Sequence, residues 1–501
     1  MPTAGVSSPN ERSRIYLGVS LVDHHTLAID APLARFGYIY DLARVDGHFF
    51  TDKAPGSSLL VAAVYGTCRL FLPASAFSIE SLLSLMRRAV MLPIGILGFL
   101  LFRRLARALR MPEYAVELSS LTWILGTAAT HASAGVVGHQ IVAVCLLAAL
   151  LLLSSVENED AGNKKSAGIR CFVAGLVAGF SLLTEYQSAI PLSLLGLYTI
   201  AGPLRRRPTL LVWLVLGLLP GVAGLLLYNK LAFGGLLQPS YHHLVAPELR
   251  KLHGQGIGGV TFPKWEYAQG ALLSWHRGLV CTSPFFVLAL PGFLNLWRRG
   301  HRRLALLIAS AFAYYVLFLS STEIWYAGWG FGPRLMVPVM GWAALAAGFG
   351  MTHLRSVWSR GSAVGLCLWG VFYTQAVNAV FPELPERFTN PLPQIVVPAL
   401  REGALVPNWA TRLCGWYGLV SLVPLMLILA VLVALAVEGL WRGADGRRAR
   451  ISMAASAAVV LAGMLSLVWL TGPPGTAAQT DRQIAWMHEL LAREAALWHG
   501  R

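Results

Sequence analysis

Charge is scarce in this chain, and lysine is scarcer still. Of the 501 residues 13% are charged, and of the 40 basic ones 6 are lysine (Lys53, Lys164, Lys165, Lys230, Lys251, Lys264), which leaves 34 arginines. Together with 56% hydrophobic residues and a mean hydropathy of +0.59, so little charge excludes an ordinary soluble protein. Cysteine is also sparse. Five of the 6 cysteines (Cys68, Cys145, Cys171, Cys281, Cys367) fall in apolar runs and none forms a Cys-x-x-Cys pair, which argues against a disulfide framework or a zinc pair. A secretory signal is missing from residues 1–57. No internal repeat and no soluble block of domain size interrupts the chain, so a single membrane domain is expected.

What the chain has in abundance is apolar runs, mostly 15–22 residues long, recurring from residue 59 onward. A helix of that length crosses about 30 Å of hydrocarbon, and helices satisfy their own backbone there. The fold class expected is therefore an all-α polytopic membrane protein with about 11–13 hydrophobic helices. Candidate spans are 88–102, 114–131, 139–155, 171–185, 188–202, 209–229, 280–297, 304–320, 335–350, 361–380, 417–439 and 453–471. The net charge of +16 sits in short arginine clusters between runs (Arg103–Arg110, Arg205–Arg207, Arg298–Arg303, Arg442–Arg450), which points to cytoplasmic loops and anionic headgroups, with no nucleic acid as partner.

The organisation that follows is an extracytoplasmic juxtamembrane loop over 1–57, a multi-span domain over 58–471 and an amphipathic extracytoplasmic tail over 472–501. Loops 230–279, 321–334 and 381–416 join the outer face, and 158–169 is a polar cytoplasmic loop. Residues 11–22 place Ile15, Val19 and Val22 at helical spacing after Pro9-Asn10, predicting an amphipathic helix lying on the membrane. The tail repeats the pattern with Ile484, Met487 and Leu491. The run 59–73 is short for a span; either it is tilted or re-entrant, or one of the pair 171–185 and 188–202 does not cross.

The head ends in Asp46-Gly-His-Phe-Phe-Thr-Asp52-Lys53-Ala-Pro55-Gly56. Asp46-Gly47 is a turn signal in its own right. Lys53, on a constrained turn at the membrane border of an arginine-dominated chain, is a candidate for a lipid phosphate; the bland alternative is a lysine snorkelling to any headgroup. Arg334 ends Trp329-Gly-Phe-Gly-Pro333 at the outer end of a span, where positive charge is not expected, and its planar fork suits a phosphate. Arg277, in Trp275-His276-Arg277-Gly278, is placed similarly. Glu185 ends an apolar run, which makes it either functional or a span-end residue reaching water. His24-His25 and His242-His243 are adjacent pairs whose side chains diverge, and His139 and His276 stand alone, so no metal ligand set is indicated. Trp265, Tyr267, Trp325, Tyr326 and Trp329 could stack on a sugar, although interface belts account for most such residues.

The segments Ser8-Pro-Asn10-Glu11-Arg-Ser-Arg14, Asp46 to Gly56 and Trp329 to Arg334, with Gly138-His139, Thr184-Glu185-Tyr186 and His276-Arg277-Gly278, together resemble the GT-C glycosyltransferases, which include protein O-mannosyltransferases and lipid A aminoarabinose transferases. Each motif is short; their order and placement carry the resemblance. It implies transfer of a sugar from a polyprenyl-phosphate donor to a glycan, lipid or protein acceptor, with membrane lipids around it, no organic cofactor, and an active site on the periplasmic face of a bacterial inner membrane. A divalent metal is compatible with that chemistry but no spacing points to one.

Under the resemblance Glu11 is the leading catalytic base, and the position of the family's catalytic aspartate is Asn10, which cannot be one. The family's first helix has no counterpart in 1–57; either the N-terminus is translocated as a tail or, the favoured expectation, a first helix is lost to a start assigned too late. Lys53 and Asp52 stand where the family's Glu-Lys-Pro-Pro-like segment falls; with Arg334, Arg277, His139 and Glu185 they form the expected substrate site. Asp23, Asp30, Asp46 and Asp52 are alternate bases, each more often a cap or turn residue. A glutamate in a first turn is also favoured simply by the helix dipole. Two other classes fit the composition: a flippase for a lipid-linked saccharide, which would need inverted repeats or mid-span charges that the chain does not display, and a non-catalytic relative, for which Asn10 is the best argument.

Overall fold

A computed structural model describes residues 8–157, 164–256, 258–442, 444, 446–471 and 476–499. Residues 158–163 of the expected polar loop lie outside the described residues. The architecture is helical, with one two-stranded hairpin. Nine helices among the described residues are long and apolar enough to cross a membrane: Ile79–Ala108, Gly138–Val156, Lys165–Thr184, Leu210–Phe233, Arg302–Ser320, Arg334–Met351, Val357–Val380, Gly418–Trp441 and Gly446–Thr471. The protein is a multi-pass membrane protein.

Three further expected spans are shorter apolar helices. The 114–131 run breaks at Gly126-Thr127 into Glu113–Leu125 and Ala128–Ala134, and 188–202 is the 13-residue helix Ala189–Ala201. The 280–297 run breaks at Ser283-Pro284, because proline removes a helix donor, and resumes as Ala289–Arg298. The 59–73 run forms Gly56–Arg69; its 14 residues rise only about 21 Å, short of a full crossing.

Sequence sets the packing. Lys165–Thr184 and Leu210–Phe233 approach backbone to backbone: a Cβ on Gly175 would lie 2.0 Å from the Leu214 carbonyl oxygen, one on Gly217 2.0 Å from that of Phe172, and one on Gly221 2.1 Å from the Gly179 carbonyl carbon. Small residues at four-residue spacing on both helices make this contact, the usual device of membrane helix pairs. Arg334–Met351 is the central helix, with every residue from Met336 to Met351 buried, whereas Gly418–Trp441 leaves all its leucines and valines but Leu440 exposed or half-buried.

The head opens with the helix Pro9–Asp23. Pro9 at its first position loses nothing, since that N–H would have no helical partner. The expected amphipathic surface helix is corrected here. Residues 13–20 are buried all round, because the helix runs between Gly56–Arg69 and the rest of the head, so close that a Cβ on Gly18 would sit 2.4 Å from Val61 Cγ1. The hairpin Leu42–Val45/His48–Thr51 pairs Leu42 with Thr51 and Val45 with His48. Its two-residue turn, Asp46 (φ 49) and Gly47 (φ 88), has both residues left-handed, as a tight hairpin requires.

The head and the aromatic loops are tied together. Ala43 of the first strand bridges Leu244, Val260 bridges Thr322, the Gly330 N–H donates to the Leu384 carbonyl and the Gly332 N–H to that of His276. In the arginine clusters, Gly202 abuts the Arg303 side chain. The tail helix Ala477–His499 buries Ile484 and Met487, and Trp486 meets Phe381 edge-on.

Candidate active site

The tied loops enclose a cavity of about 620 Å³. The head contributes Asn10, Arg14, Asp41, Asp52 and Lys53; the ends of two apolar helices contribute His139 and Glu185; the loops add Tyr241, Tyr326, Trp329, Arg334 and Glu386. Of the expected site residues, Asn10, Asp52, Lys53, His139, Glu185 and Arg334 therefore line one cavity.

Its charges are arranged in pairs. Lys53 Nζ lies 2.6 Å from Asp52 Oδ2 and 3.0 Å from Asp41 Oδ2. Burial would depress the ammonium, but Asp41 and Asp52 outweigh it and hold the lysine above its usual value. Burial pushes the Asp52 carboxyl up to about 6, against the pull of Lys53 and with Asp41 adding to the rise. Only one Asp52 oxygen is engaged; Oδ1 has no hydrogen-bond partner. Arg14 donates to Glu185 Oε1 at 2.5 Å and to the Asn10 side-chain oxygen, and His139 Nδ1 stands 3.9 Å from the same Glu185 oxygen.

Arg334 differs. Among the described residues no carboxylate lies within ion-pair distance of it; its Nη1 donates to the Trp329 carbonyl at 2.8 Å and its Nε has no partner. The loop that aims it is built from left-handed residues, Ala327 (φ 60), Gly328 (φ 71), Gly330 (φ 133) and Gly332 (φ 69), a run that needs glycine.

Two expected residues do not line the cavity. Arg277 is buried behind the loop, donating to the Gly328 and Gly330 carbonyls, while His276 Nε2 donates to Gly330 at 3.0 Å. Arg277 thus holds the segment that presents Arg334. Glu11 is fully buried on the other side of its helix. It accepts from Arg87 Nε at 3.0 Å, Arg87 Nη2 at 2.6 Å and the Val136 N–H at 2.7 Å. Adjacent positions on a helix point roughly 100° apart, and here Asn10 lines the cavity while Glu11 is turned toward Arg87 and Val136.

The alternates are structural. Asp23 accepts from Tyr65 and Arg69, Asp30 accepts from the Phe49 N–H and faces His48, and Asp46 makes the hairpin turn. His24 and His25 are exposed where the first helix ends, and Trp265, also exposed, and Tyr267 lie off the cavity. Trp325 packs against Gly270, and His242 and His243 line a separate cleft. Among the described residues no group of three His, Cys, Asp or Glu side chains is placed to hold a metal ion.

Sequence reasoning missed Asp41, Tyr241 and Glu386 in the cavity and the buried set behind it. There Glu383 lies 3.8 Å from His131 Nε2, and burial and the neighbouring Glu11 push its carboxyl up to about 7. Arg87, a charge inside an apolar run, was the one available signal.

No family model and no curated protein matches the chain. Solved structures give distant likenesses: ArnT from Cupriavidus metallidurans, apo (18% identity, TM-score 0.44, 93% of this chain and 72% of that one) and bound to undecaprenyl phosphate (17%, TM-score 0.44, the same shares). The Archaeoglobus fulgidus oligosaccharyltransferase is similar at 14% identity and TM-score 0.46, over 80% of this chain and 55% of that one. At these values the likenesses carry no argument about activity.

Proposed function

We propose that the cavity is the active site of a membrane glycosyltransferase that moves a sugar from a polyprenyl-phosphate donor to an acceptor at the extracytoplasmic face of a bacterial inner membrane. The observation that carries this is the pairing pattern: beside a bundle of apolar helices, one cavity holds Lys53 between Asp41 and Asp52, Arg14 paired with Glu185, and a further guanidinium, Arg334, with no carboxylate within ion-pair distance among the described residues.

In this reading the donor phosphate sits on Arg334. Lys53 assists, since two carboxylates leave an ammonium with a third N–H to offer. Tyr326, Trp329 and Tyr241 offer faces for the sugar. The acceptor hydroxyl attacks the anomeric carbon, the bond from that carbon to the phosphate oxygen breaks with its electrons leaving on the polyprenyl phosphate, and the hydroxyl proton passes to a base. Phosphate leaves without protonation, so no paired acid is needed.

The base is Asp52. It lines the cavity, keeps one oxygen without a partner and has a pKa near neutrality, whereas Glu11 is spent on Arg87 and Val136. Asn10 positions Arg14. Purified protein in detergent, given polyprenyl-phosphate sugar and a crude acceptor mixture, should release polyprenyl phosphate. Movement of the intact lipid-linked sugar across a proteoliposome membrane, without cleavage, would instead establish a flippase.

A further inference from the structure

A second cleft, of about 520 Å³, opens beside the hairpin tip and is lined by Arg44, Asp46, Gly47, His242, His243, Val245 and Arg250. Two arginines and two histidines face a single carboxylate. Among the described residues no carboxylate makes an ion pair with Arg44 or Arg250, and the two guanidiniums outnumber the one carboxylate in the cleft.

The basic groups are also held in place. Arg250 donates Nε (2.9 Å) and Nη2 (2.6 Å) to the Leu244 carbonyl, which fixes its plane and leaves Nη1 free for a ligand. Arg44 lies over the Phe49 ring at 5.3 Å. His243 stacks on Phe233 with centroids 5.6 Å apart, and its Nε2 has no partner. The wall itself is rigid, because the Val245 N–H donates to the Leu42 carbonyl at 2.9 Å and Leu244 bridges Ala43.

That wall is shared. Tyr241, Leu244, Glu248 and Leu249 line the large cavity, while His242, His243, Val245 and Arg250 of the same segment line the cleft. A ligand in the cleft is thus one chain-thickness from the proposed transfer site.

We infer that this cleft is an anion-binding subsite taking a phosphate or carboxylate group, and that the group belongs either to the acceptor or to an anionic lipid headgroup at the membrane surface. Paired guanidinium forks suit such groups. The role toward the acceptor rests on the transferase reading; the anion site does not.

The test is inorganic phosphate binding to the full chain in neutral detergent, in an Arg334→Ala background that removes the cavity's own anion site. Phosphate should bind there and weaken about tenfold or more on adding Arg44→Gln or Arg250→Gln. Arg44 is exposed, so its variant keeps the test valid if Arg250→Gln fails to fold. Binding unchanged by both substitutions, or no binding before them, overturns the inference. In phosphatidylcholine nanodiscs, competition by added phosphatidylglycerol assigns the site to a lipid headgroup, and its absence to the acceptor. No polyprenyl phosphate release from the chain with Arg334 intact, while phosphate still binds the cleft, would sink the transferase reading alone.

Discussion

Glu11 and Asp52 are both buried acids of the head, each beside a basic partner, and they are opposite in use. Glu11 meets a bidentate arginine and a backbone N–H, so both oxygens are engaged. Asp52 shares a lysine with Asp41, has an oxygen to spare and lines the cavity. A fully bonded buried pair is a structural joint, because breaking it strands a charge. A half-bonded one beside a cavity can exchange a proton. The contrast separates the acid that holds the head to the bundle from the acid proposed as the base.

The sharpest way to break the comparison is to remove the joint. Glu11→Gln takes from the buried Arg87 the carboxylate it bonds bidentately and should cost about 3–5 kcal/mol of stability, read as a lower unfolding midpoint in detergent. Turnover per folded molecule should stay near wild type. Unchanged stability with lost turnover would exchange the roles of the two acids.

A smaller effect sharpens the cation side. Arg334→Ala should weaken donor binding by about 1.5–3 kcal/mol, roughly ten- to hundredfold, with Arg334→Lys recovering part of it because charge survives and the fork does not. Lys53→Ala weakening the donor while Arg334→Ala leaves it unchanged would move the phosphate back to Lys53.

Much of this was legible in the sequence, and the limits have physical causes. Hydropathy located nine long helices because lipid demands length and apolarity together. Asp46-Gly47 announced its turn, since few residues accept that backbone. The first helix was found but not its burial, because its neighbour Gly56–Arg69 is a contact that periodicity in 11–22 cannot report. The residues that meet in the cavity come from distant segments: Arg14 and Glu185 are 171 positions apart. Composition flagged Lys53, Arg334 and Glu185 singly as charges in unusual places, yet could not say which were already paired. Glu11 was preferred over Asp52 from motif position, and helix geometry decides against it.

The measurement that bears most directly on the account is turnover at saturating donor, taken on both sides of pH 6, for the wild type and Asp52→Asn. A base must be deprotonated, and the Asp52 carboxyl sits at about 6, so wild-type turnover should rise with pH through that value and fall about tenfold per unit below it. Asp52→Asn should bind donor normally and turn over about a hundred- to ten-thousandfold more slowly. A wild-type rate flat through pH 6, with Asp52→Asn turning over like the wild type, would contradict the assignment of Asp52 as the base.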